Sequence, residues 1–237
     1  MSQFVLGRAK AQMVKAMEEY YNAIQVNVQF SGSHLKVITV TSVQPGEGKS
    51  TTSTNLAISF ANSGYRTLLI DADIRNSVMT GTFKAEEAYH GLTSYLSGHV
   101  DLNSVIHDTS VSNLSLIPAG QVPPNPTTLL QNTRFDAMIE QFRRQYDYVI
   151  IDTPPIGLVV DAAIVAQKTD GSILVTESGA ISRRFVKKAV EQMEQSGAQF
   201  LGVILNKVDT TKERYGSYGS YGSYGAYGNY GKQPDTD

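Results

Sequence analysis

The sequence predicts an α/β fold built on a single doubly wound, mostly parallel sheet, followed by a disordered C-terminal tail. Three observations support this prediction. Strand-like and helix-like segments alternate, the strand-like segments are nearly continuous runs of Val, Ile and Leu, and aliphatic periodicity disappears after residue 209. Strands that alternate with helices form parallel sheets, and strands buried on both faces lack polar alternation. Apart from the tail, roughly 205 residues remain, enough for one such domain.

The N-terminal residues 1–35 are predicted to be a helical segment, with a helix over residues 9–29. Its apolar residues recur at alternating steps of three and four and therefore form one stripe along the helix. The members of the stripe are Val14, Met17, Tyr21, Ile24 and Val28. The stripe packs either on the helix's own domain or on a neighbouring subunit, and the sequence leaves both alternatives open.

Residues 36–209 repeat a strand–helix pattern and define the predicted main domain. Strands are predicted at residues 36–43, 66–73, 113–120, 146–153, 171–178 and 200–207. Helices are predicted at residues 50–63, 91–97, 127–145, 157–167 and 182–196, and Pro126 suits the first turn of the third one. Ligands of such sheets bind at the carboxyl ends of the strands, and the motifs below cluster there.

Composition excludes several classes of protein. The net charge is −2 without a long basic run, so nothing indicates a nucleic-acid partner. The absence of cysteine excludes disulfides and thiol chemistry and fits a reducing cytoplasm. No apolar run approaches the ~18 residues that span a bilayer, so any membrane association is expected to come through a partner. The scattered histidines are interpreted as surface or packing residues; they are His34, His90, His99 and His107.

A candidate phosphate-binding loop lies between the first main-domain strand and its helix, the context that such a loop requires. It consists of Pro45, Gly46, Glu47, Gly48, Lys49, Ser50 and Thr51. Backbone N–H groups of the loop can surround a phosphate, Lys49 can neutralise its charge, and the Ser50 hydroxyl can ligate Mg²⁺. The strict pattern requires glycine where Val43 stands, and the alternative interpretation is a glycine-rich turn without a ligand.

Acidic residues end two further strands. Asp71 and Asp73 follow one strand two residues apart, so both carboxylates point to one face if strand geometry persists. Such a pair can provide a base that activates a hydroxyl and an acid that organises Mg²⁺, although acids at strand ends also serve as helix N-caps. Asp152 ends another apolar strand in the Walker B arrangement, which holds the magnesium shell directly or through water.

Asn206 follows the last predicted strand, within the segment Leu205–Asp209. This segment resembles the base-reading element of GTPases, in which an Asn amide can both donate to and accept from a purine edge. The alternative is a polar turn that leads into the tail.

The predicted tail, residues 210–237, consists mostly of Tyr, Gly and Ser. A composition without aliphatic periodicity and with abundant glycine predicts disorder. Every third residue over one stretch is a tyrosine followed by glycine: Tyr215, Tyr218, Tyr221, Tyr224, Tyr227 and Tyr230. A nucleotide-binding domain followed by repeated phenol hydroxyls suggests a kinase that phosphorylates its own tail.

Together these motifs resemble the bacterial tyrosine kinases, a P-loop family unrelated to eukaryotic protein kinases. The likeness is greatest to the streptococcal-type cytoplasmic kinases of capsular polysaccharide and exopolysaccharide systems. It covers nearly the whole chain and rests on PGEGKS (45–50), LLIDADIR (68–75), PPNP (123–126), VIIDTPP (149–155) and Asp161 with Ala162. The resemblance implies the P-loop NTPase fold, like that of Min/Par ATPases, and the conversion of Mg-ATP and protein tyrosine into ADP and phosphotyrosine.

The resemblance also implies roles and partners. Lys49 is expected to bind the phosphates, Ser50 with Asp73 and Asp152 to organise Mg²⁺, and Asp71 to accept the phenol proton. The expected partners are a transmembrane activator that acts as chain-length regulator, a protein-tyrosine phosphatase, and other copies of the chain. The kinase is then cytoplasmic and recruited to the inner face of the membrane.

Two departures from the family pattern concern assembly. Many members carry Glu-x-x-Arg-x-x-Arg in the N-terminal helix, whereas here Glu19 is followed by Asn22 and Gln25, so a ring built through those arginines is not expected. Gln44 stands where Min/Par positioning ATPases carry a lysine early in the loop, which counts against a positioning ATPase. Two rival hypotheses remain. One is a switch ATPase whose hydrolysis drives assembly, and the other is an adhesive tail that self-associates through stacked tyrosines.

Overall fold

The computed structural model describes residues 3–209, within which nine strands form one sheet in the order β4-β1-β5-β6-β3-β7-β2-β8-β9. The strands are β1 Gln3–Leu6, β2 Val37–Ser42, β3 Thr67–Asp71, β4 Phe83–Ala85, β5 His107–Thr109, β6 Leu114–Ile117, β7 Tyr148–Asp152, β8 Gly171–Glu177 and β9 Gln199–Asn206. The helices are α1 Arg8–Ala16, α2 Glu18–Phe30, α3 Lys49–Asn62, α4 Leu92–Leu96, α5 Pro126–Leu130, α6 Thr133–Gln145, α7 Asp161–Ala166 and α8 Arg183–Glu194. Short 3-10 helices span Met79–Gly81 and Leu102–Val105.

The sheet is mostly parallel, as the sequence predicts. The six strands from β6 to β9 in the sheet order pair in parallel. The other edge is mixed, since β1 pairs antiparallel with β4 and parallel with β5, while β5 pairs antiparallel with β6. The carboxyl ends of the central strands therefore meet at one edge of the sheet, where the sequence places its motifs.

Helices cover both faces of the sheet, which confirms the doubly wound α/β prediction. One core contains Leu96 of α4 with Phe135 and Phe142 of α6. A second core, around Phe60 of α3, also contains Tyr21 of α2. Helices on both faces explain why the central strands β2 and β3 are buried at every position, since neither face meets water.

The N-terminal stripe packs on its own domain. Tyr21 and Val28 are buried in the core around α3, and Val14, Met17 and Ile24 pack against that core while half-buried. The single predicted helix is divided in two at Met17, whose φ of −106° and ψ of 4° leave helical geometry.

Other boundaries differ from the predictions for local reasons. Strands β1, β4 and β5 contain only three or four residues each, too few for a recognisable pattern. The helix predicted over residues 127–145 is α5 and α6, because the Asn132 side chain caps α6 by accepting a hydrogen bond from the Arg134 N–H at 2.9 Å. The helix predicted over 157–167 begins only at Asp161.

His107 is buried, with Nε2 at 2.8 Å from the His90 carbonyl oxygen, which fits a packing residue.

The two residues at the family's arginine positions contact α3. Gln25 is buried, and its Oε1 accepts hydrogen bonds from the Ser59 hydroxyl at 2.7 Å and the Ser63 hydroxyl at 3.0 Å. Asn22 is exposed, and its Oδ1 lies 2.7 Å from the same Ser59 hydroxyl. These side chains join α2 to α3 within the domain.

The chain divides into two units, Met1–Asn206 and Lys207–Asp237. The N-terminal helices belong to the same unit as the main domain. The predicted tail and its tyrosines lie outside the described residues. Among residues 3–209, no helix has the length and apolar character needed to cross a membrane.

Replacing Gln25 by Ala is expected to lower the free energy of unfolding by about 1–2 kcal/mol, because the Ser59 and Ser63 hydroxyls lose a buried acceptor. Urea denaturation followed by circular dichroism measures the effect. Asn27→Ala, at an exposed position of the same helix, is the control and is expected to change stability by less than about 0.5 kcal/mol. Equal losses in both variants would contradict the packing role of Gln25.

Candidate active site

The candidate site forms where neighbouring parallel strands end. Strand β7 lies between β3 and β2, and Asp152 is in register with Asp71 on one side and Val40 on the other. Beyond Val40, β2 continues through the predicted phosphate-binding loop into α3. The strand order therefore places Asp71 and Asp152 side by side, although the two acids lie far apart in the sequence.

The loop conformation requires glycine at two positions. Gly46 and Gly48 have φ angles of 84° and 97°, in the left-handed region that other residues rarely adopt. A Cβ atom on Gly48 would also lie 2.1 Å from Nδ2 of Asn206. These glycines allow the backbone to turn tightly before α3 begins at Lys49, which leaves the first N–H groups of α3 available to an anion.

Glu47, predicted as a ligand-binding residue, turns its side chain into the protein. Its Oε2 accepts from the Gln44 N–H at 2.7 Å, and its Oε1 accepts from the Thr176 hydroxyl at 2.8 Å and the Glu177 N–H at 3.1 Å. The residue is 1% exposed. Through this carboxylate the loop is attached to the end of β8, so Glu47 acts as a positioning residue.

Asn206, predicted to read the base, lies against the same loop. Its Nδ2 donates to the Glu47 carbonyl oxygen at 2.9 Å. One amide hydrogen is thus used to join the end of β9 to the loop. Contact of Asn206 with a base stays a prediction.

Lys49 is the centre of a buried ion-pair network. Its Nζ lies 2.8 Å from Oδ2 of Asp73 and 3.5 Å from Oδ2 of Asp152, and it donates to the Ser50 hydroxyl at 3.1 Å. The Ser53 hydroxyl donates to Oδ1 of Asp152 at 3.0 Å. The structure therefore brings together the predicted phosphate-binding and metal-organising residues, and adds Ser53, which no sequence motif indicates.

Burial and charge shift the ionisation of this cluster. Burial raises the pKa of Asp71 to about 8, and the neighbouring Asp152 adds to the increase. Burial also raises the pKa of Asp152, against the opposing effect of Lys49. Burial alone would lower the pKa of Lys49, but Asp152 and Asp73 outweigh it and raise the pKa above its usual value. The ammonium is therefore charged at neutral pH and compensates the buried acids.

Asp71 and Asp73 occupy different layers of the site. Strand β3 ends at Asp71, so the geometry that would point both carboxylates to one face does not continue to Asp73. Instead, the Asp73 N–H donates to Oδ1 of Asp71 at 3.1 Å, and Oδ1 of Asp73 accepts from the Asn76 N–H at 3.1 Å. The Ser77 hydroxyl donates to Oδ2 of Asp71. Asp71 is 1% exposed beneath the site, whereas Asp73 lines the cavity above it.

Arg75 links three segments that carry motifs. Its Nε and one terminal nitrogen donate to the two carboxylate oxygens of Asp161 at 2.6 and 3.2 Å, and the same nitrogen lies 2.8 Å from the Thr127 hydroxyl. Thr127 also donates to Asp161 at 2.8 Å. The Asp161 side chain is fully buried. Sequence alone marks Arg75 and Asp161 as parts of motifs, but their pairing depends on the fold.

A cavity of about 360 Å³ opens at the loop. Its floor contains loop residues and the start of α3, namely Pro45, Gly46, Gly48, Lys49, Ser50 and Thr51. Asp73 and Arg75 line it from the segment after β3, and Pro154 and Pro155 from the segment after β7. A small molecule that binds there meets a cationic phosphate-binding loop and a carboxylate at the same time.

The donor set fits Mg²⁺ held together with a nucleotide. Among the described residues, no group of three or more His, Cys, Asp or Glu side chains is arranged to hold a metal by itself. P-loop sites bind Mg²⁺ differently, with a hydroxyl, substrate phosphates and waters as ligands and an acid nearby. Ser50, Asp73 and Asp152 are hard oxygen donors around Lys49, which matches that arrangement.

Comparison with known proteins agrees with this geometry. The family described as AAA domain matches residues 35–199. Tyrosine-protein kinase CpsD of Streptococcus agalactiae serotype III (strain NEM316) is 60% identical over 208 residues, which cover 88% of this chain and 90% of the relative.

Two solved structures resemble this chain. The kinase domain of Escherichia coli tyrosine kinase ETK superposes with a TM-score of 0.79 at 34% identity, over 85% of this chain and 80% of that one. The septum site-determining protein MinD of Pyrococcus horikoshii OT3 has a TM-score of 0.62 at 24% identity, over 72% and 70% of the chains, and shows the fold alone. The domain is thus a P-loop ATPase-type nucleotide-binding domain, and the chain belongs to the bacterial P-loop tyrosine-protein kinases of the streptococcal type.

Proposed function

We propose that this tyrosine kinase uses Mg-ATP to phosphorylate its own C-terminal tyrosine cluster. The observation that carries the proposal is the position of Lys49, held between Asp73 and Asp152 at the floor of a cavity formed by the phosphate-binding loop. A tyrosine oxygen attacks the γ-phosphorus, the bond from that phosphorus to the bridging oxygen breaks, and ADP leaves. Phosphoryl transfer of this kind depends mainly on positioning and on neutralisation of charge.

Each residue has a defined part in the proposal. The loop from Pro45 to Thr51 surrounds the β- and γ-phosphates, and Lys49 neutralises their charge. Ser50, Asp73 and Asp152 would hold Mg²⁺, which supplies further neutralisation of the phosphate oxygens. Asn206 would contact the base.

Asp71 is the proposed acceptor of the phenol proton. A tyrosine hydroxyl has a pKa near 10, so its proton needs a base, and a base is most effective when its pKa lies near the working pH. The elevated pKa of Asp71 meets that requirement. Because Ser77 donates to this carboxylate, the proton reaches Asp71 either through the Ser77 hydroxyl or after that contact opens.

We also propose that phosphorylation regulates the synthesis and export of capsular polysaccharide or exopolysaccharide. In this proposal a transmembrane activator recruits the cytoplasmic kinase to the inner face of the membrane, a protein-tyrosine phosphatase reverses the reaction, and copies of the kinase associate. The relationship to the streptococcal kinases supports this regulation. Position 25 holds a glutamine that is buried against α3, so it offers no arginine to a neighbouring copy. In this proposal, association therefore uses other contacts.

Lys49→Met is expected to reduce phosphotyrosine formation at least about 100-fold, because the side chain keeps its length but loses the charge that stabilises the phosphates. Phosphotyrosine immunoblots and binding of a fluorescent ADP analogue measure the effect, and circular dichroism checks the fold. Lys187→Met, on the exposed surface of α8, is the control. Wild-type phosphorylation in Lys49→Met would refute the assignment of the loop.

Asp71→Asn is expected to stabilise the metal-free protein increasingly as the pH rises from about 4 to 8. Asp71 has an ordinary pKa of 3.8 when unfolded and about 8 when folded, so the folded state binds the extra proton and the wild type loses stability over this range. The difference between variant and wild type grows by at most about 1.4 kcal/mol per pH unit. Urea titrations at several pH values measure it, with exposed Asp108→Asn as control. A pH-independent difference would contradict the elevated pKa.

The tail is expected to act as a graded charge switch. Each phosphate adds roughly −1.5 to −2 charges, so six would add roughly −9 to −12 to a chain that starts at −2. Glycine follows every tail tyrosine, so the following residue does not distinguish one site from another. Replacing the tyrosines by phenylalanine one after another should reduce total phosphorylation stepwise in intact-mass spectra. Loss of all phosphate from Tyr221→Phe alone would show that a single site controls the rest.

A further inference from the structure

The cavity above Lys49 has two chemically different sides. The phosphate-binding loop and the start of α3 form one side, with the charged and hydroxyl groups of Lys49, Ser50 and Thr51. Val78, from the segment after β3, and Leu158, from the segment after β7, line the same cavity. A cavity of this kind suits a ligand that is polar at one end and apolar at the other.

Val78 and Leu158 are unusually exposed for their size. Their exposed fractions are 55% and 64%. A single exposed aliphatic side chain needs no explanation, because most protein surfaces contain some. Val78 and Leu158, however, come from different loops and line one cavity beside the proposed phosphoryl-transfer residues. Apolar walls with a few polar groups are characteristic of binding sites, so this pair calls for a functional explanation.

The groups that line the cavity suit a tyrosine side chain. Asp73 lines the cavity and is ion-paired with Lys49, so the polar centre lies at the phosphate-binding loop. A tyrosine side chain combines the same two properties, with a polar hydroxyl at its tip and an apolar ring behind it. With its hydroxyl at this polar centre, a tyrosine would have Val78 and Leu158 available as apolar contacts for its ring, since both line the same cavity.

We propose that Val78 and Leu158 form an acceptor-ring subsite, which holds the aromatic ring of a tyrosine of the C-terminal tail during transfer. This inference rests on the proposed autophosphorylation and deepens it, because it assigns the residues that recognise the acceptor. The subsite favours tyrosine over serine or threonine, whose short side chains carry no ring to bind between these two residues.

The tail is the chosen occupant because of where the described chain ends. Strand β9 ends at Asn206, whose amide is hydrogen-bonded to the phosphate-binding loop, so the chain leaves the first unit at the same edge as the cavity. From Asn206 to Tyr215 a flexible chain has a root-mean-square span of roughly 15–18 Å. Glycine after every tail tyrosine leaves the neighbouring backbone without side chains that would obstruct entry of the ring.

A transfer assay between two full-length chains tests the subsite. The enzyme carries serine in place of all six tail tyrosines, so that it offers neither ring nor phenol of its own. The acceptor is a Lys49→Met copy with an intact tail. Phosphotyrosine is measured at saturating Mg-ATP against acceptor concentration, for enzymes with intact Val78 and Leu158 and for Val78→Ala, Leu158→Ala and the double variant.

The double variant is expected to raise the KM for the acceptor about tenfold, since several methyl groups are removed from contact with the ring. The kcat and the affinity for a fluorescent ADP analogue are expected to change less than about twofold. Leu158→Met, which keeps the apolar volume, should retain a KM near that of the unchanged enzyme. Val26→Ala, at an exposed position of α2, is the matched control for Val78→Ala.

Three results would overturn the inference. An unchanged KM in the double variant would show that the ring binds elsewhere. A parallel loss of ADP affinity would show that these side chains bind the nucleotide. An equal loss in Val26→Ala would show a general effect on the fold. The unaltered full-length chain, incubated alone with Mg-ATP, tests the proposed autophosphorylation separately. Absence of phosphotyrosine there would refute the proposed function, whereas an unchanged KM in the double variant refutes the subsite alone.

Discussion

The ion pairs of Lys49 with Asp73 and Asp152 hold the site together. They join Lys49, the first residue of α3, to Asp73 just after β3 and to Asp152 at the end of β7. One ammonium group thus holds three elements in place. Buried carboxylates remain ionised only when a nearby cation compensates them. In the protein alone, Lys49 performs that function. In the proposed mechanism, the phosphates of a bound nucleotide would compete with the carboxylates for it. Nucleotide binding would then redistribute charge within a network that is already assembled.

The sheet and the residues at its carboxyl edge could be predicted because long apolar strands and glycine-rich turns are local patterns. Lys49, Asp71, Asp73 and Asp152 all lie at this edge, where the order of strands places them. The short mixed edge of β1, β4 and β5 could not be predicted, since strands of three or four residues carry no periodicity. Their pairing depends on distant parts of the chain.

The contacts that position the site could not be predicted for a related reason. Glu47 contacts Thr176 across 129 positions of sequence, and Arg75 contacts Asp161 across 86. No local pattern reveals such pairs, although each residue stands inside a recognisable motif. The sequence also shows Gln25 in place of an arginine, but only the structure shows that its amide is buried against α3. A motif thus indicates which residue types are present, while their partners are determined by the fold.

The hydrogen bond from Asn206 to the Glu47 carbonyl oxygen joins the end of the last strand to the phosphate-binding loop. Asn206 is the last residue of β9 and of the first unit, and Glu47 lies in the middle of the phosphate-binding loop. While this bond holds, any movement of the loop would also move the point at which the chain continues toward its tyrosines. In the proposed autophosphorylation, the loop that binds ATP and the residue from which the chain continues toward the acceptor tyrosines would therefore be joined through a single side-chain amide.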